Sequence, residues 1–298
     1  MLFFLSVVSI FTLGYLAQTT GLCMVRGVKQ AIDGKFMFLV SILFSGSFAW
    51  LTMASGSLFN IQGVPQAFWP SLYSFVGGVL FGFGAAINGG CGVSTVSRLA
   101  RGEVVMFITI LGWLIGWVVF LPMFSFSGAR EVLSLPASSH YLLLIPLSIA
   151  IGLAVWRMNR DNRRLWLLML GIGVMAGLVF VFEPHWTPSG LLKSVSLSIW
   201  HQDDALWPEA FRFYLIAALL LGMVYAAVLS KSFELRFFPW KRLVRHLFAG
   251  TLMGCGAVLA AGGNDTQLLV AMPALSLAGF ASVASIIFGI YLGLKLLR

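Results

Sequence analysis

Apolar residues run along this chain in long blocks, not in the alternation of a strand or the stripe of a surface helix. Nine blocks stand out, at 2–17, 36–58, 70–87, 104–124, 141–158, 165–182, 211–229, 247–261 and 273–294. Most approach the ~20 residues that a helix needs to cross roughly 30 Å of hydrocarbon. Within a bilayer, only helices and closed barrels satisfy every backbone N–H and C=O. The pattern predicts an all-α integral membrane protein of about nine transmembrane helices.

Four stretches between or beside these blocks are small and polar, at 18–35, 88–103, 187–199 and 262–269. Two of them carry glycine turns, Gly89-Gly90-Cys91-Gly92 and Gly262-Gly263-Asn264-Asp265. Non-helical backbone at membrane depth survives only where protein or a water-lined cavity satisfies its polar groups. Broken helices of this kind point to the binding site of a transporter. Each turn predicts a short re-entrant helix. Ser94 or Thr95 would cap the one that runs to Arg98, and Asp265 or Thr266 would cap its counterpart.

The two turns belong to an internal repeat. Gly78, Gly82 and Gly84 recur as Gly250, Gly254 and Gly256, an offset of 172 residues, and the same register lays Gly90 over Gly262 and Cys91 over Gly263. A weaker match sets Gly21-Leu22-Cys23 over Gly190-Leu191-Leu192. The two copies sit in the third and eighth blocks, an odd number of crossings apart, so they run in opposite directions. The expected plan is a single membrane domain, 1–298, of two inverted pseudo-symmetric halves. Residues 1–140 form the first half, 141–164 a connecting helix and cytoplasmic loop, and 165–298 the second. Glycines spaced four apart also let helices pack closely, and for Gly78, Gly82, Gly250 and Gly254 both uses stay open.

Composition removes the soluble classes. Of 298 residues 59% are apolar and 10% charged, against about 25% charged in a soluble domain. The net charge of +9 does not indicate nucleic acid, because the basic residues cluster in the short links between apolar blocks. With the N-terminus outside, sixteen of the nineteen Lys and Arg fall on the inner side and three (Arg130, Lys193 and Arg212) outside. That split orients the chain with its N-terminus outside and its C-terminus cytoplasmic, in a bacterial inner membrane. Block 2–17 has no basic leader and no small-residue cleavage site, and reads as a retained helix. The basic run at 157–164 reads as an anchor to anionic lipid. Trp69, Trp113, Trp117, Trp186 and Trp207 lie near block ends and read as interfacial belts. Neither a cofactor nor a metal site is indicated: the three cysteines form no CxxC pair, and His140, His185, His201 and His246 are scattered. No phosphate-binding Walker motif is present, so the chain itself does not hydrolyse ATP.

Three stretches carry a resemblance. They are Gly21-Leu22-Cys23 through Gly27, Phe81 through Gly92 to Arg101, and Leu252 through Asp265 to Leu277. In order and spacing they resemble the YeeE/YedE family of bacterial sulfur-compound transporters, thiosulfate transporters among them. The resemblance implies thiosulfate uptake through an hourglass-shaped protein, in which re-entrant helices present cysteines along a narrow path and the anion passes by transient hydrogen bonds to thiols. It implies a substrate path at Cys23, Cys91, Gly90, Gly92, Gly262, Gly263 and Asn264. It also implies a cytoplasmic sulfur-carrier or rhodanese-type partner. The third family cysteine is expected in the 262–264 turn, where this chain has Gly263, and Cys255 lies two helical turns too early to replace it. Which sulfur compound is carried therefore stays open.

The chemistry suits that reading. Thiosulfate is a dianion, and helix N-termini favour anions. A neutral thiol is a weak donor that contacts sulfur without trapping it, whereas a thiolate would repel the ion. Asp265 would repel it too unless capped or turned away, and is not assigned as a ligand. Two alternatives stand beside transport. One is a membrane sulfurtransferase using Cys91 covalently, which requires a group that activates the thiol. The other is an accessory membrane subunit that has lost transport.

Overall fold

The computed structural model describes residues 2–58, 65–124, 131–134 and 137–297; Arg130 and Arg298, counted above for orientation, lie outside the described residues. The chain is helical almost throughout. Helices α1 (Leu2–Thr20) and α2 (Met24–Ile32) are followed by α3 (Met37–Leu43) and α4 (Ala49–Leu58). Next come α5 (Leu72–Asn88), α6 (Gly92–Ala100), α7 (Val105–Phe124) and α8 (Ala137–Arg157). The rest is α9 (Arg160–Phe182), α10 (Pro188–His201), α11 (Ala210–Leu229), α12 (Trp240–Ala260), the short α13 (Asn264–Thr266) and α14 (Leu277–Leu296). A π-helical turn, Gln267–Ala271, prolongs α13. Strands β1 (Ala67–Phe68) and β2 (Val132–Leu133) pair antiparallel at one end of the bundle.

Seven helical stretches among the described residues are long and apolar enough to cross a membrane, and α8 adds a shorter apolar helix. Their outward faces carry Phe107, Leu142, Leu221 and Phe288, all exposed. Such an exterior suits lipid, since hydrocarbon and not water is the solvent there. The block at 36–58 differs from a simple span. It breaks at 44–48 into α3 and α4, where Ser45, Gly46 and Ser47 are weak helix formers and a Cβ on Gly46 would lie 2.2 Å from the Leu268 carbonyl oxygen. The break admits the backbone of the π-helical turn.

The centre of the bundle is α5 packed on α12 and α14, with α12 also on α7; α1 packs on α9 and α11 beside it. Without a hydrophobic drive between helices in lipid, close backbone approach through small residues supplies the contact. A Cβ on Gly84 would lie 2.8 Å from the Ala249 oxygen, and one on Gly256 would lie 2.6 Å from the Gly77 oxygen. Each contact is the other displaced by 172 residues in both partners. The repeat glycines are therefore packing residues, whatever else they do.

Two ends are distinguishable. The β1–β2 pair and the 183–187 corner lie at one. At the other, Arg98 pairs with Glu103 at 2.7 Å and Glu103 bridges to Arg236.

Candidate functional site

The first crossing is the turn between α5 and α6. Helix α5 ends on Gly89 at φ +70°, the left-handed conformation that glycine adopts without strain. Gly90 N then donates to the Ala85 oxygen at 3.0 Å, and Cys91 leaves extended (φ −78°, ψ −179°) to head α6. The Cys91 side chain is fully buried, and its Sγ accepts from Met24 N at 3.4 Å and from the Ser94 hydroxyl at 3.6 Å. Met24 opens α2, whose N-cap residue is Cys23. Two short helices thus point their N-termini at one spot, and the Cys23 and Cys91 thiols interact there.

Asn88, the last residue of α5, fastens this turn. Its Nδ2 donates to the Gly90 oxygen at 2.9 Å and to the Thr95 hydroxyl at 2.8 Å. Its Oδ1 accepts from Thr109 at 2.8 Å and lies 2.7 Å from His246 Nδ1. An acceptor oxygen there requires the imidazole proton on Nδ1. All four groups are buried.

The second crossing, between α12 and α13, repeats the backbone of the first. Ala261 sits at φ +59° and Gly263 at φ −76°, ψ −174°. Gly262 N donates to the Ala257 oxygen at 2.8 Å, and Gln267 N to the Gly263 oxygen at 3.0 Å. These bonds match Gly90 to Ala85, and Thr95 to Cys91, in the register of 172. The crossings meet directly, because Asn264 Oδ1 accepts from Gly92 N at 3.1 Å. Gly90, Cys91, Gly92, Gly262, Gly263 and Asn264 are therefore brought together, with Cys23 alongside.

Side chains at the second crossing differ. Asp265 accepts from Ser189 N at 3.0 Å and from the Ser189 hydroxyl at 2.7 Å. The hydroxyls of Thr187 and Thr266 lie 2.9 Å apart, and those of Ser189 and Thr266 2.8 Å apart. With the carboxylate ionised, protons run one way, from Thr187 to Thr266 to Ser189 to Asp265. Gly263 N closes the cluster on Ser189 Oγ at 3.2 Å.

The capping expectations are corrected here. Cys91 and Gly263 are the N-cap residues, and neither side chain caps. Ser94 and Thr95 donate instead to the Cys91 oxygen, and Asp265 caps α10, a different helix. Cys23 and Thr187 are the N-cap residues of α2 and α10. Cys255 is buried in α12 beside Gly116, away from both crossings.

A cavity of about 940 Å³ lies at the β1–β2 end and reaches down to Gly262, Thr266 and Ser189. Tyr73, Glu131, His185 and Lys193 also line it. Burial holds His185 below the ordinary histidine range. Arg212 steadies the rim, donating to the His185 oxygen at 2.7 Å and to Ser194 at 2.8 Å beside Glu183.

Asn88, Ser189, Trp113 and Trp117 are residues that sequence reasoning missed. Asn88 had a usable signal, a polar residue placed directly before a glycine turn. The tryptophans had none. Trp69 and Trp207 are exposed as belts require, but Trp113, Trp117 and Trp186 are each at most 2% exposed, because a uniformly apolar block does not tell which face turns inward.

The chain is similar to known proteins along most of its length. The profile of the sulphur transport family matches residues 20–163 and again residues 147–292, two overlapping copies that together span most of the chain. The thiosulfate transporter TsuA of Escherichia coli (strain K12) is 21% identical over 321 residues, covering 94% of this chain and 90% of the relative. The thiosulfate transporter TsuA of Spirochaeta thermophila is 24% identical over 261 residues, covering 72% of this chain and 74% of the relative. A multi-pass helical membrane protein whose two broken-helix turns fall inside the two matched stretches, this chain belongs to the sulphur transport (YeeE/YedE) family.

Proposed function

We propose that the chain carries thiosulfate, or a closely related sulfur-containing compound, inward across the bacterial inner membrane. The path runs from the cavity to Gly262, Gly263 and Asn264, across the contact with Gly92, and on past Gly90, Cys91 and Cys23. The observation that carries this reading is the meeting of the crossings: short helices from separate parts of the chain converge there, and two cysteine side chains stand at the convergence. The positive dipole ends of α2 and α6 offset part of the desolvation of an anion. The thiols supply weak, soft contacts from which the anion can leave.

The architecture proposed with it is nine spans in two inverted halves, 1–140 and 165–298, joined by 141–164. The torsions of Gly89 and Cys91, matched by those of Ala261 and Gly263, support it with the matched hydrogen bonds of Gly90 and Gly262, as does the reciprocal contact of Gly84 and Gly256. The N-terminus is outside and the C-terminus cytoplasmic, by the distribution of Lys and Arg, so the cavity faces outward. The chain is read as a transporter and not as an enzyme, with Cys91 Sγ held by the Met24 amide N–H, the Ser94 hydroxyl and the Cys23 thiol as a contact point for the anion. A sulfur-carrier or rhodanese-type protein receives the cargo inside. Gly263 leaves the outer crossing without a thiol, and hydroxyls of Thr187, Ser189 and Thr266 stand beside it instead.

The test is uptake of sulfur-labelled thiosulfate into proteoliposomes. Wild type is expected to exceed empty vesicles, and Cys91→Ala to fall to their level while remaining folded. Wild-type uptake no higher than that of empty vesicles removes thiosulfate as the cargo.

A further inference from the structure

The two buried tryptophans of α7 are placed where the proposed path narrows. Trp113 and Trp117 are one helical turn apart and share a face of the helix. The benzo edge of Trp113 fills the space between the crossings. A Cβ on Gly92 would lie 2.8 Å from its Cη2, and one on Gly263 would lie 3.0 Å from its Cζ2. Phe81 meets the ring edge-on, with centroids 6.1 Å apart. One turn further along, Trp117 lines the cavity. Each side chain is 1% exposed, and neither Nε1–H has an acceptor among the described residues.

Buried donors are almost always paired. Two orphans on one helix face, at successive turns beside the same cavity and junction, need a reason that packing does not give. Phenylalanine would pack there without stranding a donor. An oxyanion in transit supplies the missing acceptors. We infer that Trp113 and Trp117 form a two-step ladder of neutral indole N–H donors, which hydrogen-bond the oxygens of a sulfur oxyanion as it moves from the cavity to Cys91. Trp113 also closes the junction when no anion is present. Neutral donors suit this place because, unlike an arginine, they hold a dianion without trapping it. The division of labour follows from the ion's two ends: oxygens to the indoles, terminal sulfur to the thiols.

This rests on the transport reading, and the experiment separates the two. Trp113→Phe and Trp117→Phe keep an aromatic ring and remove the N–H, with Trp156→Phe on exposed α8 as the control. Each of the first two is expected to raise the thiosulfate concentration for half-maximal uptake by about tenfold, the usual weight of a hydrogen bond to a charged group, with the unfolding midpoint unchanged or higher. The control stays at the wild-type value. Unchanged half-saturation in both variants, with wild-type uptake intact, overturns the inference and leaves the transport reading standing. If wild type transports nothing, the transport reading fails, and the ladder is judged by indole fluorescence in detergent. A thiosulfate-induced shift lost in either Phe variant upholds it, and the absence of any shift in wild type overturns it. Should one variant not fold, the other carries the same test.

Discussion

The two crossings share a backbone and differ in nearly everything attached to it. At both, a long helix ends in a left-handed residue, one residue turns, and an extended residue starts a short helix. At the first, that extended residue is Cys91 and a second thiol lies against it; at the second it is Gly263, beside a chain of hydroxyls ending on Asp265. The devices that hold the turns also differ. Asn88 reaches forward from the end of α5 and ties four groups together, whereas Gln267 reaches back to the Ala260 oxygen at 2.9 Å. Backbone shape here follows from how helices end and from glycine-mediated packing. The chemistry presented is free to vary on top of it, so one half can lose its thiol without losing the turn.

The comparison can be broken hardest at the contact itself. Gly92→Val places a branched side chain against Trp113 and Asn264 and should lower stability by about 3 kcal/mol or more. Thermal unfolding in detergent checks this, and a midpoint near wild type would mean that the crossings do not pack as described. Next come the two fasteners. Asn88→Ala strands several buried partners and should cost roughly 2–3 kcal/mol, while Gln267→Ala removes one main bond and should cost about 1 kcal/mol. Equal losses would erase the asymmetry drawn between the turns. At the hydroxyl crossing, Asp265→Ala takes the carboxylate acceptor from Ser189 N and from the Ser189 hydroxyl, which keeps its contacts with Thr266 and Gly263 N, at about 2 kcal/mol. Asp265→Asn keeps one acceptor oxygen and should recover part of that loss.

The smallest effect concerns the rim. Because burial depresses the folded-state pKa of His185, the unfolded chain takes up a proton before the folded one does. Stability is then full above the ordinary histidine range and falls as pH drops through it. His185→Gln should flatten that part of the unfolding-midpoint profile between pH 7.5 and 5.5. An identical profile in the variant would assign the pH dependence elsewhere.

Much of this plan was legible beforehand. Blocks of apolar residues gave the helices because crossing hydrocarbon demands length and little else, and the glycine register of 172 pointed to both crossings. Partners across the fold were not legible. That Asn264 would accept from Gly92, or that Asp265 would cap α10 and not its own helix, depends on which segments meet, and spacing along the chain carries no trace of that. The break at 44–48 was hidden for a related reason: the Leu268 carbonyl packed against Gly46 is more than two hundred residues away. Trp113 and Trp117 passed as belt residues because an apolar block does not mark its inward face.

The most direct test of the proposed path is the reactivity of its thiols. In proteoliposomes, alkylation by a small membrane-permeant maleimide can be followed at each cysteine by mass spectrometry, with and without saturating thiosulfate. The account predicts that thiosulfate slows alkylation of Cys91 and Cys23 and leaves Cys255, away from both crossings, unchanged. Equal rates at Cys91 with and without thiosulfate would contradict a path that runs past its thiol.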